Sequence, residues 1–551
     1  MKLQKKSRAI ITFFTIFILI SSPTVFSINT TKITKNYEKE ELPTYFSWRD
    51  SCAYDFTSPI KFLNPLPSCE IMALCASIET MVHYKVGYPF GCDLSEAHLF
   101  FWSGGNLEWG AYIENALNFL TEYGVPDEDC WPYPKEKKDY PLNTSSKDWK
   151  DRTVKIKNWS YLPDEIDEIK KAVINNGPVV AYIDLYKDFL YYISGVYEHS
   201  WGHCIGGHWV SIIGFDEDDD YWICENSYGT QWGENGFFKI KYGECGIEKH
   251  AITMTDVYGT FPIVYADDNN TLGPWDGSNI HPYQHIQDAI NKSHAGWTVF
   301  VSNGTYYENI IINKSLNLDG QNPYYTIING NGRNDVILVN SENVRISGFT
   351  IQNSGKNLFD SGLEIRTWDT KGLAIINNNI FESNQIGIYL YWSPNNTIHN
   401  NIFTQNNKGL YLWNSYNNII QNNLIIENNK SGIEFQFSRG RIINNNIKSN
   451  EIGIYLNENS YTNLVVYNNI ENNSIGILLN NNSKKNRITR NHFIENQKQA
   501  FFIRSYPNVW IKNYWSDWPK RLPKRIDGVC GKQFEISFFS FDWLPSPKPL
   551  N

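Results

Sequence analysis

The sequence lacks a basic excess: 49 Lys and Arg stand against 58 Asp and Glu, a formal net charge of −9. Nucleic acids are gripped through Lys and Arg patches, so this balance argues against them as partners. Beyond the first 27 residues there is also no apolar run of the about 20 residues that cross a bilayer. Nor is there a compositional sign of global disorder, since 41% hydrophobic and 15% aromatic residues suffice for sizeable cores. A chain of 551 residues is long for one core, so two or more domains are expected.

What is present begins with an export pattern. Lys2, Lys5, Lys6 and Arg8 precede an apolar stretch from Ala9 to Ile20, and Val25 and Ser27 suit the −3 and −1 positions of a cleavage site. Residues 1–27 read as a signal peptide, too short in its apolar part for an anchor. Cleavage would leave a mature chain of net charge −13, an acidic surface suited to solubility. A secreted or cell-surface location follows. Nine cysteines in such a chain imply some disulfides and, the number being odd, at least one free thiol.

After a linker at 28–42, two textures divide the chain. Residues 43–257 mix helical and strand patterns and hold eight of the nine cysteines. A second linker at 258–264 leads into 265–545, where Asn and Ile dominate. There an Asn precedes an apolar residue at Ile380, Ile402, Leu424, Ile447 and Ile470 and, less cleanly, with His492 between, at Phe493, at intervals of 22 or 23. Gly followed by Ile or Leu recurs at Gly387, Gly409, Gly432, Gly453 and Gly476. So short a period without helical pattern predicts a β-solenoid. Alternating residues such as Ile386, Ile388 and Leu390 would point into the stack. Asn pairs would take the bends, where left-handed angles are tolerated and amides can stack coil on coil. Residues 282–290 predict a capping helix with Pro282 at its first position and Ile286, Ala289 and Ile290 on one face. Trp515, Trp518, Phe541 and Trp543 would cap the other end. The repeat texture resembles the NosD-type right-handed parallel β-helix proteins of microbial cell surfaces.

In the first half, Ser68-Cys69 opens a segment with apolar residues at Ile71, Leu74, Cys75, Ile78, Met81 and Val82, a helical spacing with Ser68 as N-cap. Cys69 then sits in a first turn, where the helix dipole favours a thiolate. Far downstream, strand-like HWVSIIGF starts at His208 and strand-like YWICEN ends at Asn226. A hairpin centred near Glu217 would set His208 opposite Asn226. An imidazole held by an amide is what a thiol nucleophile requires.

Further motifs lie in a fixed order around these: Trp48-Arg49-Asp50, Pro59-Ile60-Lys61, Glu79, Leu94-Ser95-Glu96, Gly104-Gly105, Tyr133-Pro134 and ENSYGTQWGENG from Glu225 to Gly236. Together they resemble the papain-like cysteine peptidase family across about 43–257. The expected fold is thus an α+β two-lobed domain followed by the all-β solenoid. The resemblance implies Cys69 as nucleophile, His208 as base and acid, Asn226 as the orienting residue, and Trp232 as the shield of their hydrogen bond. It also implies a Cys204–Cys245 disulfide and a protein or peptide substrate. Two departures stand out. The usual oxyanion Gln falls on Leu63, leaving Asn64 as the candidate donor, and the aromatic residue after the nucleophile is Glu70, whose charge would raise the thiol's pKa. The family's long inhibitory propeptide has no counterpart between the signal and the domain.

Other residues point less far. His199, His203, Cys204 and His208 fit no zinc spacing, so neither metal nor cofactor is expected. Asp216–Asp220 reads as a solvated hairpin tip. Cys52, Cys92 and Cys130 would include a second bridge, with Cys75 and Cys224 as buried thiols. Sequons occur, as at Asn143, Asn158, Asn303 and Asn313. Outward aromatics at Tyr389, Tyr391, Trp392, Tyr411 and Trp413 suit a cell-wall or glycan ligand. Alternative readings are a surface adhesin with a degenerate peptidase domain, and a polysaccharide-active β-helix enzyme.

Overall fold

The computed structural model describes residues 42–51, 54–136, 146–368, 373–518, 522–530 and 536–549. The signal segment, Cys52 and Asn143 lie outside them.

The first domain has a helical side and a sheet side. Helix α1, Cys69–Val86, runs through the centre and is buried from Glu70 to His83. Its apolar residues recur on all sides, which suits a helix enclosed by neighbours. Gly87 ends it in the left-handed conformation, φ +94. Helices α2 (Glu96–Trp102) and α3 (Ile113–Glu122) pack beside it. Helix α4 is Ile166–Asn175.

The sheet is nine-stranded. Its members are β1 (Tyr45–Ser47), β2 (Val125–Pro126), β3 (Thr153–Tyr161), β4 (Val179–Tyr186), β5 (Val196–Tyr197), β6 (Cys204–Asp216), β7 (Tyr221–Glu225), β8 (Phe237–Lys241) and β9 (Ile252–Gly259). Their order is β2-β3-β9-β4-β6-β7-β8-β5, with β1 on β6. All pairs are antiparallel except β5–β8. One core lies around α1, Leu99, Leu117 and Val154, the other between α4 and strands β4, β6, β7 and β8. These are two lobes. The hairpin turns at Glu217–Asp220, and Ser211 pairs with Glu225 across it. The Ser211–Glu225 register is centred one residue beyond Glu217, so continuing the pairing brings His208 opposite Tyr228 rather than Asn226, and a bulge between Ile212 and Gly214 shifts the register by one. Strand β1 crosses at the bulge so closely that a Cβ on Gly214 would stand 2.2 Å from the Phe46 carbonyl.

The second domain is a parallel β-solenoid with three faces. One face stacks Ser361–Arg366, Ile386–Tyr391, Lys408–Trp413, Ser431–Gln436, Ile452–Asn457, Ile475–Asn480 and Lys498–Ile503. Ile388 pairs with Leu410, which pairs with Ile433, and so on one coil at a time. These side chains are fully buried. The Asn pairs divide their labour. Asn378, Asn400, Asn422 and Asn444 take positive φ at the bend, while the next residue turns inward. Asn379, Asn401, Asn423, Asn445, Asn468, Asn491 and Asn513 form a ladder in which each backbone N–H donates to the Oδ1 of the next coil. Each Nδ2 donates to carbonyls, so the buried amides are satisfied.

The ends differ from the sequence expectation in detail. The capping helix α5 is Ile286–Lys292, starting after Pro282 because the Glu308 carboxylate accepts from the N–H groups of Ile286 and Gln287. Tyr283 instead bridges to Ala266 as extended chain. Ile286, Ala289 and Ile290 are buried. At the far end, strands Lys524–Cys530 and Ile536–Asp542 form a hairpin. Asp542 terminates the ladder by accepting from Asn513 and from the buried Trp515 indole. The two domains meet over buried side chains: the Trp297 indole donates to Asp127, itself paired with Arg152, and Tyr88 packs on Phe300.

Candidate active site

The site forms where the start of α1 meets β6. Cys69 is the first residue of α1, and α1 packs on β6, the strand that carries His208. His208 Nε2 lies 2.7 Å from Asn226 Oδ1, and the Ser227 N–H donates to the same oxygen at 2.8 Å. His208 and Asn226 are both 3% exposed. His208 and Asn226 are thus in direct contact, and the helix opened by Cys69 packs on the strand that carries His208.

The ring over His208 belongs to Tyr228, with centroids 4.7 Å apart. Trp232 stands one ring behind, edge-on to Tyr228 at 5.4 Å, its indole donating to the Leu190 carbonyl. The register of the hairpin accounts for this, because it lifts Tyr228 onto the imidazole.

Electrostatics set the resting state. Burial, and next the Glu70 carboxylate, push the Cys69 thiol up to about 12. Its sulfur is 3.4 Å from Glu70 Oε2. Burial lowers His208 to about 4, against the support of Asn226. The pair therefore rests as neutral thiol and neutral imidazole. Glu70 is fixed by the Ala111 N–H, which donates to Oε1 at 2.6 Å. Gly110 makes this approach possible: its φ is +96, and a Cβ there would lie 2.9 Å from the Pro67 carbonyl.

The loop before the nucleophile is pinned on both sides. The Leu63 N–H donates to the Ser227 carbonyl at 3.0 Å, and the Leu63 carbonyl accepts from the Tyr133 hydroxyl at 2.6 Å. That hydroxyl is also 2.8 Å from Ser68 Oγ, so Ser68 faces Tyr133 rather than capping its own helix. Asn64 is exposed on the turn closed by the Leu66 N–H and the Leu63 carbonyl, 3.1 Å apart.

Sequence reasoning gave no role to Glu225 and Tyr228 or to the buried charges behind the site. Lys61 Nζ meets Glu79 at 2.9 Å, Glu96 at 2.8 Å and Asp93 at 2.6 Å. The family motifs around Lys61, Glu79 and Glu96 were the available signal. The expected Cys204–Cys245 bridge is not formed: both thiols are free. Cys204 lies exposed, turned to the Gly206 carbonyl at 3.3 Å, while Cys245 is buried on a tight turn beside Glu244. Cys92 and Cys130 are likewise unbonded. His199 is engaged with Asp188 at 3.0 Å.

Comparison with known proteins agrees with this division. Residues 42–255 match the family model of papain family cysteine protease, and residues 290–521 that of the periplasmic copper-binding protein NosD. Cathepsin B-like CP3 of Giardia intestinalis is 36% identical over 180 residues, 31% of this chain and 57% of its own length. Cathepsin M of Mus musculus is 29% identical over 242 residues, 41% of this chain and 70% of its own. The chain thus spans little more than half of the Giardia relative. The solved structure of proCathepsin B S9 from Trypanosoma congolense aligns over 42% of this chain and 81% of its own, at 25% identity and a TM-score of 0.35. Copper does not fit the matched solenoid, which contains neither Cys nor Met and only His294, His399 and His492. These soft-ligand positions are absent where copper would need them, and among the described residues no group of His side chains gathers.

Proposed function

We propose that this chain, which joins a papain-family domain to a NosD-type β-helix, is an exported cysteine peptidase that hydrolyses peptide bonds in protein substrates. The observation that carries the reading is the 2.7 Å contact between His208 Nε2 and Asn226 Oδ1, on the strand against which the helix opened by Cys69 packs. His208 takes the proton of the Cys69 thiol as sulfur adds to the substrate carbonyl, then gives it to the departing amine. Water activated by His208 releases the acyl group. Asn226 keeps Nε2–H occupied, so the other ring nitrogen serves the sulfur. The oxyanion takes the Cys69 backbone N–H, with Asn64 as second donor once the turn Leu63–Leu66 reorients. Tyr228 excludes water from the His208–Asn226 bond.

In this reading residues 1–27 direct export, and the β-helix holds the enzyme on a cell-envelope or glycan ligand. Tyr389 and Tyr411, expected to face outward, stack at 5.3 Å but are each only 4% exposed, with Phe359 stacked on Tyr389, so the support for a ligand comes from the partly exposed Tyr391, Trp392 and Trp413. A second reading, an adhesin whose peptidase domain has weakened, draws on the raised Cys69 thiol and the exposed Asn64. Incubation of the full chain with a peptide library decides between them. Cleavage abolished by Cys69→Ala supports the peptidase. Absence of cleavage with glycan capture intact supports the adhesin, and sugar-chain cleavage surviving Cys69→Ala overturns both.

A further inference from the structure

Three consecutive residues after the end of β7 and at its last position hold buried polar atoms with no partner. They are both carboxylate oxygens of Glu225, Nδ2 of Asn226 and Oγ of Ser227. All three residues line one cavity of about 10 Å³, walled by Ala73 and Ala76 of α1 and Ser211 of β6. Such a volume accommodates a single solvent molecule, and the polar lining supplies it with partners. Glu225 is 4% exposed. Burial, reinforced by Glu79 and opposed by Lys61, which also lines the cavity, holds its carboxyl well above the usual carboxylate range.

The orientation of the Asn226 amide decides what His208 can become. With Oδ1 toward Nε2, the amide accepts from an imidazolium. Reversed, it would set an N–H against an N–H and disfavour the cation. Contacts from His208 and the Ser227 N–H fix the oxygen end. The nitrogen end faces the cavity.

We propose that Glu225 is a positioning residue for the Cys69–His208 pair: through one solvent molecule in this cavity its carboxyl accepts from Asn226 Nδ2 and locks Oδ1 toward the imidazole. This rests on the reading of Cys69, His208 and Asn226 as catalytic. Ser227 Oγ supplies the solvent with a further partner. The Asn226 side chain is then held at both ends, and the His208 cation that forms during attack is sustained.

The test compares wild type, Glu225→Gln and Glu225→Leu in the full chain, measuring kcat, KM and the pH profile of kcat/KM on a peptide substrate. Glu225→Gln retains the acceptor and should keep the wild-type profile. Glu225→Leu should lower kcat about 10- to 100-fold with KM little changed. It should also move the acid limb, set by protonation of the His208 imidazole, to lower pH by about one unit. A merely structural loss would lower the melting temperature without moving that limb. If Glu225→Leu does not fold, Ala76→Val, which fills the cavity from its opposite wall, carries the same expectation. An active wild type with an unmoved limb in Glu225→Leu or Ala76→Val overturns this proposal alone. Equal impairment in Gln and Leu variants also overturns it. A folded wild type that neither cleaves peptide nor is alkylated at Cys69 overturns the peptidase reading, and this proposal with it.

Discussion

Replacing Glu70 by Gln removes a charge beside the nucleophile while keeping the shape that holds the Ala111 N–H. The carboxylate oxygen is 3.4 Å from the Cys69 sulfur. Two unit charges at that distance repel by roughly 1 kcal/mol in bulk water and roughly 5 kcal/mol at an effective dielectric constant of 20. The thiol's titration midpoint should therefore fall by roughly 1 to 3.5 pH units from its position near 12. A more acidic thiol yields more thiolate but a weaker nucleophile, with a Brønsted coefficient of about 0.4–0.5. Alkylation of Cys69 by iodoacetamide at pH 7 should accordingly speed up about 3- to 100-fold. The assay follows the Cys69 peptide by mass spectrometry across pH, which separates it from the exposed Cys204. Because burial also raises the Glu70 carboxyl, the two proteins should converge at acid pH, where Glu70 is protonated in both. An unchanged midpoint, or a difference that persists at acid pH, would refute the electrostatic reasoning.

Further outcomes are expected. Tyr228→Ala should lower kcat more than Trp232→Ala, since Tyr228 is the ring on His208; equal effects in steady-state kinetics would count against the assignment. Melting temperature should fall as pH rises from about 6.5 to 8. Burial raises Glu79 to about 7 and Glu225 well above its ordinary value, so the folded state holds protons that the unfolded chain has released, and that stability is lost as pH rises through the folded values. Below 6.5 the buried His208 and His98, lowered to about 4 and about 3, act in the opposite direction. A melting temperature that climbs across 6.5–8 would contradict this. Asn445→Ala should strip the Asn423 N–H of its acceptor, while Asn423 Nδ2 keeps the Ile398 and Gln421 carbonyls. At about 1–3 kcal/mol per orphaned buried group, denaturant unfolding of the solenoid should shift clearly, more than for the exposed Asn444→Ala.

Much of the architecture was legible because it rests on local rules. The recurrence of Asn every 22 to 23 residues and of Gly every 21 to 23 marks coils, since one face must be buried at each turn. Within each Asn pair the first residue takes the left-handed bend and the second the buried ladder, a division that composition alone does not disclose. The start of α1 was readable from its apolar spacing. The register around His208 was not, because it depends on where the turn falls and on a bulge at Ile212–Gly214, beside which β1 pairs from more than 160 positions away. Pro282 suggested a helix start, yet the Glu308 carboxylate, distant in sequence, captures the first free N–H groups and sets the start at Ile286. Ser68 reads as a cap in isolation but turns to Tyr133 once the loop is packed. The family resemblance implied a Cys204–Cys245 pair but not the local packing that leaves both thiols free. The Glu225 cavity was invisible, since it arises from the meeting of α1, β6 and β7.

The most direct measurement is active-site titration of the full chain with an epoxysuccinyl reagent, read by intact mass and peptide mapping. One equivalent should attach at Cys69, and His208→Ala should slow attachment severely while the protein stays folded. A folded wild type that takes no label at Cys69, or peptide hydrolysis undiminished in Cys69→Ala, would contradict the account.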